Sequence, residues 1–447
     1  MNKLQRTVVT LAGAVGLAAM ADQAAAFCGF YVSTDTSQLF NNASKVVLAR
    51  RGNLTTMTMA NDYKGDAKDF AIVIPVPTVI TKEQIRVSES ALIDQMDGYT
   101  KPRLAAYYDE DPCPDPRDYE RSRENYPSMA PSMSMAGAAE AKMDRDYGVK
   151  IEASYDVGEY DILILSATQS DGLERWLVDN HYNIPRGASD VLGSYIKQGM
   201  KFFVAKVDLA EKNKLEQPFL RPLQVEYESP KFMLPIRLGT VNADGPQDLL
   251  IFALTEKGRV ETTNYRTTKI PTDANVPEYV EQEFASFYTA LFQKQVAKQG
   301  MQTVFLEYAW PLSISCDPCT GVYMSGDALT KMGASWASEY HGGVNGGFIT
   351  RLHVRYDMAH FPEDLAFQET ADSSTFQGRY VINHKFTGDT SCAAGKQYVK
   401  DLYTREEADI TSLASLTGWS ADQIRKKVPG HETAPGPART PSWWEQQ

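Results

Sequence analysis

The sequence has little clustered positive charge. Its formal net charge is −12, and the longest uninterrupted run of Lys and Arg is Arg425–Lys427. A nucleic-acid interface needs a basic face that neutralises phosphates. This charge balance therefore excludes nucleic acid as an expected partner.

Long apolar runs are absent beyond the N-terminus. After residue 26, no segment approaches the roughly eighteen apolar residues of a membrane helix. At the N-terminus, Lys3 and Arg6 precede the apolar stretch Val8–Met20, and Ala24–Ala26 supplies the small residues that signal peptidase requires. We therefore expect a signal peptide over 1–26 and a soluble mature chain with no transmembrane segment, located in the periplasm or secreted.

Cysteine is scarce, with five residues in the chain. Cys316 and Cys319 form a C-x-x-C pair, which suits a metal knuckle, a redox dithiol or a structural bridge. A redox dithiol needs a helix to start at its first cysteine, whereas the loop TGVYMS follows Cys319. Because an oxidising compartment favours disulfides, we expect a Cys316–Cys319 bridge first. The other cysteines are candidates for a second bridge or for a free thiol: Cys28, Cys113 and Cys392.

Familiar catalytic and metal-binding signatures are also missing. The chain has no G-x-S-x-G, no H-E-x-x-H and no Walker loop, and its six histidines show no zinc spacing near a second C-x-x-C pair. We therefore predict no catalytic residue, no metal and no cofactor. One copper hypothesis stays open, because clustered thioethers are soft ligands that select Cu(I). The methionines concerned are Met129, Met133, Met135 and Met143.

Changes in composition divide the mature chain into four parts. Residues 27–116 read as β-rich, and 117–146 are rich in Met, Ser, Ala and Pro with no apolar face, which is typical of a flexible loop or linker. Residues 147–428 mix strand and helix patterns and end in helices, and 429–447 form a Pro-rich tail.

Several local patterns predict individual elements. Gly52 marks a tight turn between two short strands, and the run FAIVIPVPTVI predicts a buried strand whose prolines confine its far end to a sheet edge or bulge. A second hairpin is expected to turn at Glu256–Gly258, and a helix with an aromatic stripe to begin near Pro277. Capping boxes at Thr404 and Ser420 predict two short terminal helices.

Strand and helix patterns mix without strict alternation. This order favours an α+β fold with mixed, largely antiparallel sheets, flanking helices and a helical C-terminal part.

Motifs spread over nearly the whole mature chain resemble one bacterial family. The segments that carry the resemblance include FCGFYVS, LFNNASKVVLAR, MANDYKGDAKDFAIVIPVP, SPKFMLPIRLG, RLHVRYD and FPEDLAFQET. The chain is similar in them to the exported proteins known as domain of unknown function 2330. The resemblance implies an exported bacterial protein, and it supplies no reaction and no catalytic residues.

The sequence thus favours a binding or assembly role in the cell envelope over catalysis. Its 23 tyrosines and 6 tryptophans suit recognition surfaces, where rings bury area at low entropic cost. The expected partner is a protein or a small-molecule ligand. Two alternatives stay open: a periplasmic thiol-disulfide oxidoreductase using Cys316 and Cys319, and a Met-rich copper-binding protein.

Overall fold

The computed structural model describes most of the chain after the N-terminus. The described residues are 30–33, 40–64, 70–113, 149–184, 187–208, 220–243, 245–313, 318–319, 321–340 and 343–431. The predicted signal peptide and the predicted Met/Ser-rich loop lie outside them, as do the residues after 431.

Strands dominate the described part of the chain. Up to residue 208 they are β1 (Phe30–Ser33), β2 (Phe40–Arg51), β3 (Leu54–Lys64), β4 (Phe70–Val76), β5 (Ile85–Val87), β6 (Arg103–Tyr108), β7 (Val149–Val157), β8 (Tyr160–Ala167) and β9 (Lys201–Val207). The later strands are β10 (Leu223–Glu228), β11 (Met233–Leu234), β12 (Gln247–Thr255), β13 (Val260–Thr262), β14 (Arg266–Lys269), β15 (Ala274–Asn275), β16 (Thr303–Pro311), β17 (Ser338–Tyr340), β18 (Gly343–Asn345), β19 (Phe348–Tyr356), β20 (Leu365–Glu369), β21 (Phe376–Gln377) and β22 (Arg379–His384).

Helices flank these strands and follow them. The α-helices are α1 (Ser90–Thr100), α2 (Ser170–Asp179), α3 (Ala188–Lys197), α4 (Phe284–Lys298), α5 (Gly326–Lys331), α6 (Ala393–Thr417) and α7 (Ala421–Arg425). Short 3-10 helices occupy Lys82–Gln84, Arg237–Asn242 and Glu278–Glu281. The predicted α+β class is therefore confirmed, including its helical C-terminal part.

One large sheet has five strands in the order β1-β4-β9-β8-β7, and all its neighbours are antiparallel. Every residue of β4 is buried, as its apolar run predicts. Among the described residues, β1 pairs with Phe70–Val73 of β4, and Pro75 pairs with Phe202 of β9. The expected confinement of the prolines to a sheet edge or bulge stays a prediction.

The other large sheet has nine strands. Its order is β14-β16-β19-β12-β2-β3-β10-β5, with β21 beside β16. The β14–β16 and β12–β2 pairs are parallel and the others are antiparallel. The predicted first hairpin is confirmed as β2–β3, and Gly52 holds the left-handed φ of 58° that its tight turn requires.

The second predicted hairpin, turning at Glu256–Gly258, is wrong. Strand β12 pairs with β19 and β2, whereas β13 pairs with β20. The chain leaves the large sheet after β12 because its backbone finds other partners: Arg259 N–H donates to the carbonyl of Asp372, and Thr370 N–H to that of Arg259. A local turn pattern cannot reveal a partner more than a hundred residues away.

Three smaller sheets contain the remaining strands of the described residues. They are antiparallel β11-β20-β13, parallel β15-β22-β6 and antiparallel β17-β18.

The main apolar core contains buried residues from both large sheets, packed in one cluster. Ile72 and Ile74 of β4 belong to the same buried cluster as Ile251 of β12 and Leu352 of β19. Alternate residues of β4, such as Val73, point to a second core with α2 and α3. A third core joins α1 and α5 to the other face of the nine-stranded sheet. The order of layers is therefore helices, sheet, sheet, helices.

The C-terminal helices differ in part from the prediction. The capping box at Thr404 does not open a helix, because α6 is continuous from its N-cap Cys392 and Thr404 donates to the carbonyl of Lys400 inside it. The helix ends at Gly418, whose φ of 80° is typical of a C-cap glycine. Ser420 is the N-cap of α7, as predicted, without a side-chain cap bond.

The helix expected near Pro277 begins as the 3-10 helix Glu278–Glu281 and continues as α4. Phe287 of α4 is fully buried and lies edge-on to Tyr380 of β22, with ring centroids 4.8 Å apart. Its aromatic stripe is therefore a packing face. None of the described helices combines the length and the apolar character of a membrane-spanning helix.

A disulfide joins Cys113, just after β6, to Cys392 at the start of α6. The two residues are 279 positions apart, so this bridge ties the C-terminal helices to the first third of the chain.

Candidate ligand-binding site

The cysteines predicted as site residues lie in two kinds of place. Cys113 and Cys392 form the bridge described above. Cys319 is also disulfide-bonded, so its sulfur is not a thiol. Cys316 and Cys28 lie outside the described residues, and the Cys316–Cys319 pairing stays a prediction. The methionines of the copper hypothesis lie outside them as well.

A buried charged cluster crosses the outer face of the nine-stranded sheet. Glu307 lies where β16 shifts its register, and its side chain is fully buried. Arg351 Nε donates to Glu307 Oε2 at 2.6 Å, and His353 Nδ1 lies 2.7 Å from Oε1. Tyr288 of α4 donates its hydroxyl proton to the same Oε1. One carboxylate thus holds two strands and a helix together.

The cluster continues towards α1. Arg351 Nη1 donates to Asp97 Oδ1 at 2.5 Å, and Lys45 Nζ lies 2.9 Å from Asp97 Oδ2. Burial raises the pKa of Glu307, but the attraction of His353 and Arg351 outweighs it and lowers that pKa to about 2. The carboxylate is therefore ionised and fully partnered, as a structural ion-pair network requires.

A cleft of about 560 Å³ lies where α3, the 3-10 helix Arg237–Asn242 and the small sheet β11-β20-β13 meet. We call it the Asp364 cleft. Its lining includes two cations, two carboxylates and two aromatic rings: Lys231, Arg237, Glu363, Asp364, Phe232 and Phe367. Its volume lies within the range of roughly 300–1,000 Å³ of small-molecule sites.

Asp364 is fixed by hydrogen bonds from two other elements. Its Oδ1 accepts the hydroxyl proton of Tyr195 at 2.6 Å, the N–H of Ile236 at 2.9 Å and the N–H of Arg237 at 3.2 Å. Burial nevertheless raises the pKa of Asp364 above its ordinary value, because desolvation outweighs these donors. The carboxylate thus anchors α3 and the 3-10 helix around the cleft.

Among the described residues, two cations of the cleft form no close ion pair, although the charge of Arg237 attracts Asp364 at longer range. Arg237 Nη1 donates to the neutral hydroxyl of Ser194 at 2.7 Å, and Arg237 Nε is buried without an acceptor. Within the described part of the chain, neither Arg237 nor Lys231 has a carboxylate oxygen within 4.0 Å. The guanidinium of Arg237 therefore keeps a donor, Nε, that has no acceptor.

Aromatic rings form the apolar side of the cleft. Phe232 and Phe367 lie with ring centroids 5.2 Å apart, and Phe367 N–H donates to the carbonyl of Phe232. Arg50 lies over the Phe232 ring, 5.3 Å from its centroid. These contacts hold the rings in place, so the apolar surface is present before any ligand arrives.

Neither the cleft nor the buried cluster was predicted from sequence. The signals were present: Lys231 and Arg237 lie in SPKFMLPIRLG, Asp364 lies in FPEDLAFQET, and Glu307 interrupts the apolar run TVFLEYAW. A single charge in a buried strand indicates a buried partner. In the described stretches, no group of three or more His, Cys, Asp or Glu residues is arranged to hold a metal ion.

Comparison with known proteins identifies a family that is described without an activity. The family model described as an uncharacterized protein conserved in bacteria, DUF2330, matches residues 22–368, which include the whole Asp364 cleft. No curated protein and no solved structure matches the chain. The chain belongs to this family, domain of unknown function 2330.

Proposed function

We propose that this protein is a non-catalytic ligand-binding protein of the bacterial cell envelope and that the Asp364 cleft is its ligand site. The observation that carries the proposal is a cleft of ligand size, with polar and aromatic groups already held by hydrogen bonds and ring contacts. Sites of this kind are commonly preformed at the junction of structural layers.

The chemistry of the cleft suits binding better than catalysis. Asp364 Oδ1 already accepts three hydrogen bonds, which suits an anchoring carboxylate rather than a general base. A guanidinium offers donors and no acceptor, so Arg237 suits recognition of an acceptor group on a ligand.

Export rests on the N-terminal pattern and on the sulfur chemistry. Disulfides form and persist in oxidising compartments, and both Cys113–Cys392 and the bonded Cys319 agree with such a location. We expect the periplasmic fraction of the native bacterium to contain a chain that begins at Phe27, measured by N-terminal sequencing and intact mass. A chain that keeps Met1 and fractionates with the cytosol would contradict export.

Filling the cleft should abolish ligand binding. We would use two fluorescent probes with the same aromatic body, neutral N-phenyl-1-naphthylamine and its anionic relative 8-anilinonaphthalene-1-sulfonate. At least one probe should bind the wild-type protein, and Ala366→Trp should remove that binding because Ala366 lines the cleft. Ala285→Trp, on the exposed side of α4, is the matched control and should bind as wild type does. Equal binding by both variants would rule out the cleft as the site.

The competing function is thiol-disulfide exchange by Cys316 and Cys319. The non-catalytic proposal expects no reduction of insulin by the purified protein above the rate of dithiothreitol alone. Insulin reduction that disappears in Cys316→Ser would overturn the proposal and make the protein an oxidoreductase.

A further inference from the structure

We infer that the ligand of the Asp364 cleft is a small organic anion with an apolar body, such as an aryl or alkyl carboxylate or sulfonate. This inference rests on the proposed function, because it names the class of ligand that the same cleft takes. The acidic and the basic groups that line the cleft differ in how many hydrogen-bond partners they have.

The acidic groups of the cleft already have donors. Asp364 Oδ1 accepts three hydrogen bonds, and Glu363 Oε2 accepts one from the side-chain amide of Asn264 at 3.2 Å. Two of the three donors to Asp364 are backbone N–H groups, which cannot move away when a ligand enters. Asp364 Oδ1 is therefore already engaged before a ligand binds.

The basic groups have fewer close hydrogen-bond partners among the described residues. Arg237 has one neutral acceptor, Ser194 Oγ, and its buried Nε has none. Lys231 is exposed, and no carboxylate oxygen of the described residues lies within 4.0 Å of its ammonium. Because a guanidinium offers a fixed fork of donors that matches a carboxylate or sulfonate, an anion entering the cleft gains charge-assisted hydrogen bonds.

The aromatic rings of the cleft indicate that the ligand also has an apolar part. Phe232 and Phe367 line the same cleft as the two cations, and they offer apolar contact rather than further hydrogen bonds. A small hydrated anion such as phosphate would leave this surface unused. A ligand with one anionic end and an apolar body satisfies both halves of the lining.

The probe pair used for the proposed function tests this inference, since the two molecules differ by the sulfonate alone. We expect 8-anilinonaphthalene-1-sulfonate to bind wild-type protein roughly tenfold or more tightly than N-phenyl-1-naphthylamine, because a hydrogen bond to a charged group contributes that much. Arg237→Gln should remove the preference, and Arg237→Lys should keep part of it. Arg175→Gln, which changes an exposed arginine of α2, is the control and should keep it.

Lys231→Gln gives a second measurement if Arg237→Gln fails to fold, because the Lys231 side chain is exposed. It should weaken binding of the sulfonate severalfold and leave the neutral probe unchanged. Equal affinities of the wild-type protein for the two probes would overturn the inference, as would a preference that survives both substitutions. If Ala366→Trp still abolished binding in that case, the proposed function would stand with a neutral ligand.

Discussion

Arg351→Met should lower the free energy of unfolding by about 3–5 kcal/mol, the usual result of breaking a buried ion pair from one side. The substitution leaves Glu307 fully buried beside Tyr288 and His353, without its guanidinium partner. It also removes the contact to Asp97, so α1 loses an attachment to the sheet. Urea unfolding of the purified protein at pH 7 measures the loss.

The control is the same substitution at an exposed ion pair. Arg175→Met removes the partner of Asp171 on α2, and we expect less than about 0.5 kcal/mol because solvent screens such pairs. Adding Glu307→Gln to Arg351→Met should recover part of the loss, since the unpaired charge is then gone. If Arg351→Met and Arg175→Met had equal effects, the cluster would not contribute to stability as described.

The dependence of stability on pH below 4.5, measured by urea unfolding, tests the same cluster independently. The folded-state pKa of Glu307 is about 2, below its ordinary value of 4.5, so its stabilising contribution is complete above pH 4.5 and is lost as the pH falls towards 2. The wild-type protein should therefore lose stability over this interval more steeply than Glu307→Gln does.

Removing the Cys113–Cys392 bridge should cost about 2–5 kcal/mol, as loss of a native disulfide commonly does. The bridge closes a loop between positions 279 apart, which limits the unfolded chain far more than a short loop would. We expect Cys113→Ser with Cys392→Ser to lower the urea midpoint. The dependence on urea should also steepen, because the unfolded chain exposes more surface without the link.

The two single serine variants separate this effect from simple loss of packing. Each single serine variant lacks the bridge and should match the double variant to within about 0.5 kcal/mol, whereas independent packing losses would add. A double variant with the same midpoint and the same urea dependence as wild type would show that the bridge does not restrain the unfolded chain.

The parts of the fold that sequence predicts are the local ones. The turn at Gly52 and the buried strand FAIVIPV follow from residues that are adjacent in the chain, and both were found where expected. Ser420 was likewise found as the N-cap of α7. Conformation at such positions depends on a few neighbours, so the pattern is sufficient.

The features that sequence missed depend on distant partners. Nothing near Glu256–Gly258 signals that the next strand pairs with β20, and the helix pattern around Thr404 cannot show that α6 begins at Ala393. Asp364 meets Tyr195 from a helix 169 positions away. The chemistry of a site whose residues are far apart in the chain can be recognised only once the fold is known.

The small parallel sheet β15-β22-β6 limits how far this chain can be shortened. The family match stops at residue 368, inside β20, yet β22 is the middle strand of that sheet, and Ile410 of α6 is fully buried in the main core. Truncation at the family limit would strip a central strand and uncover the interior beneath α6. The segment that matches the family is therefore shorter than the segment needed to complete this fold. Recombinant versions should retain all residues through His431.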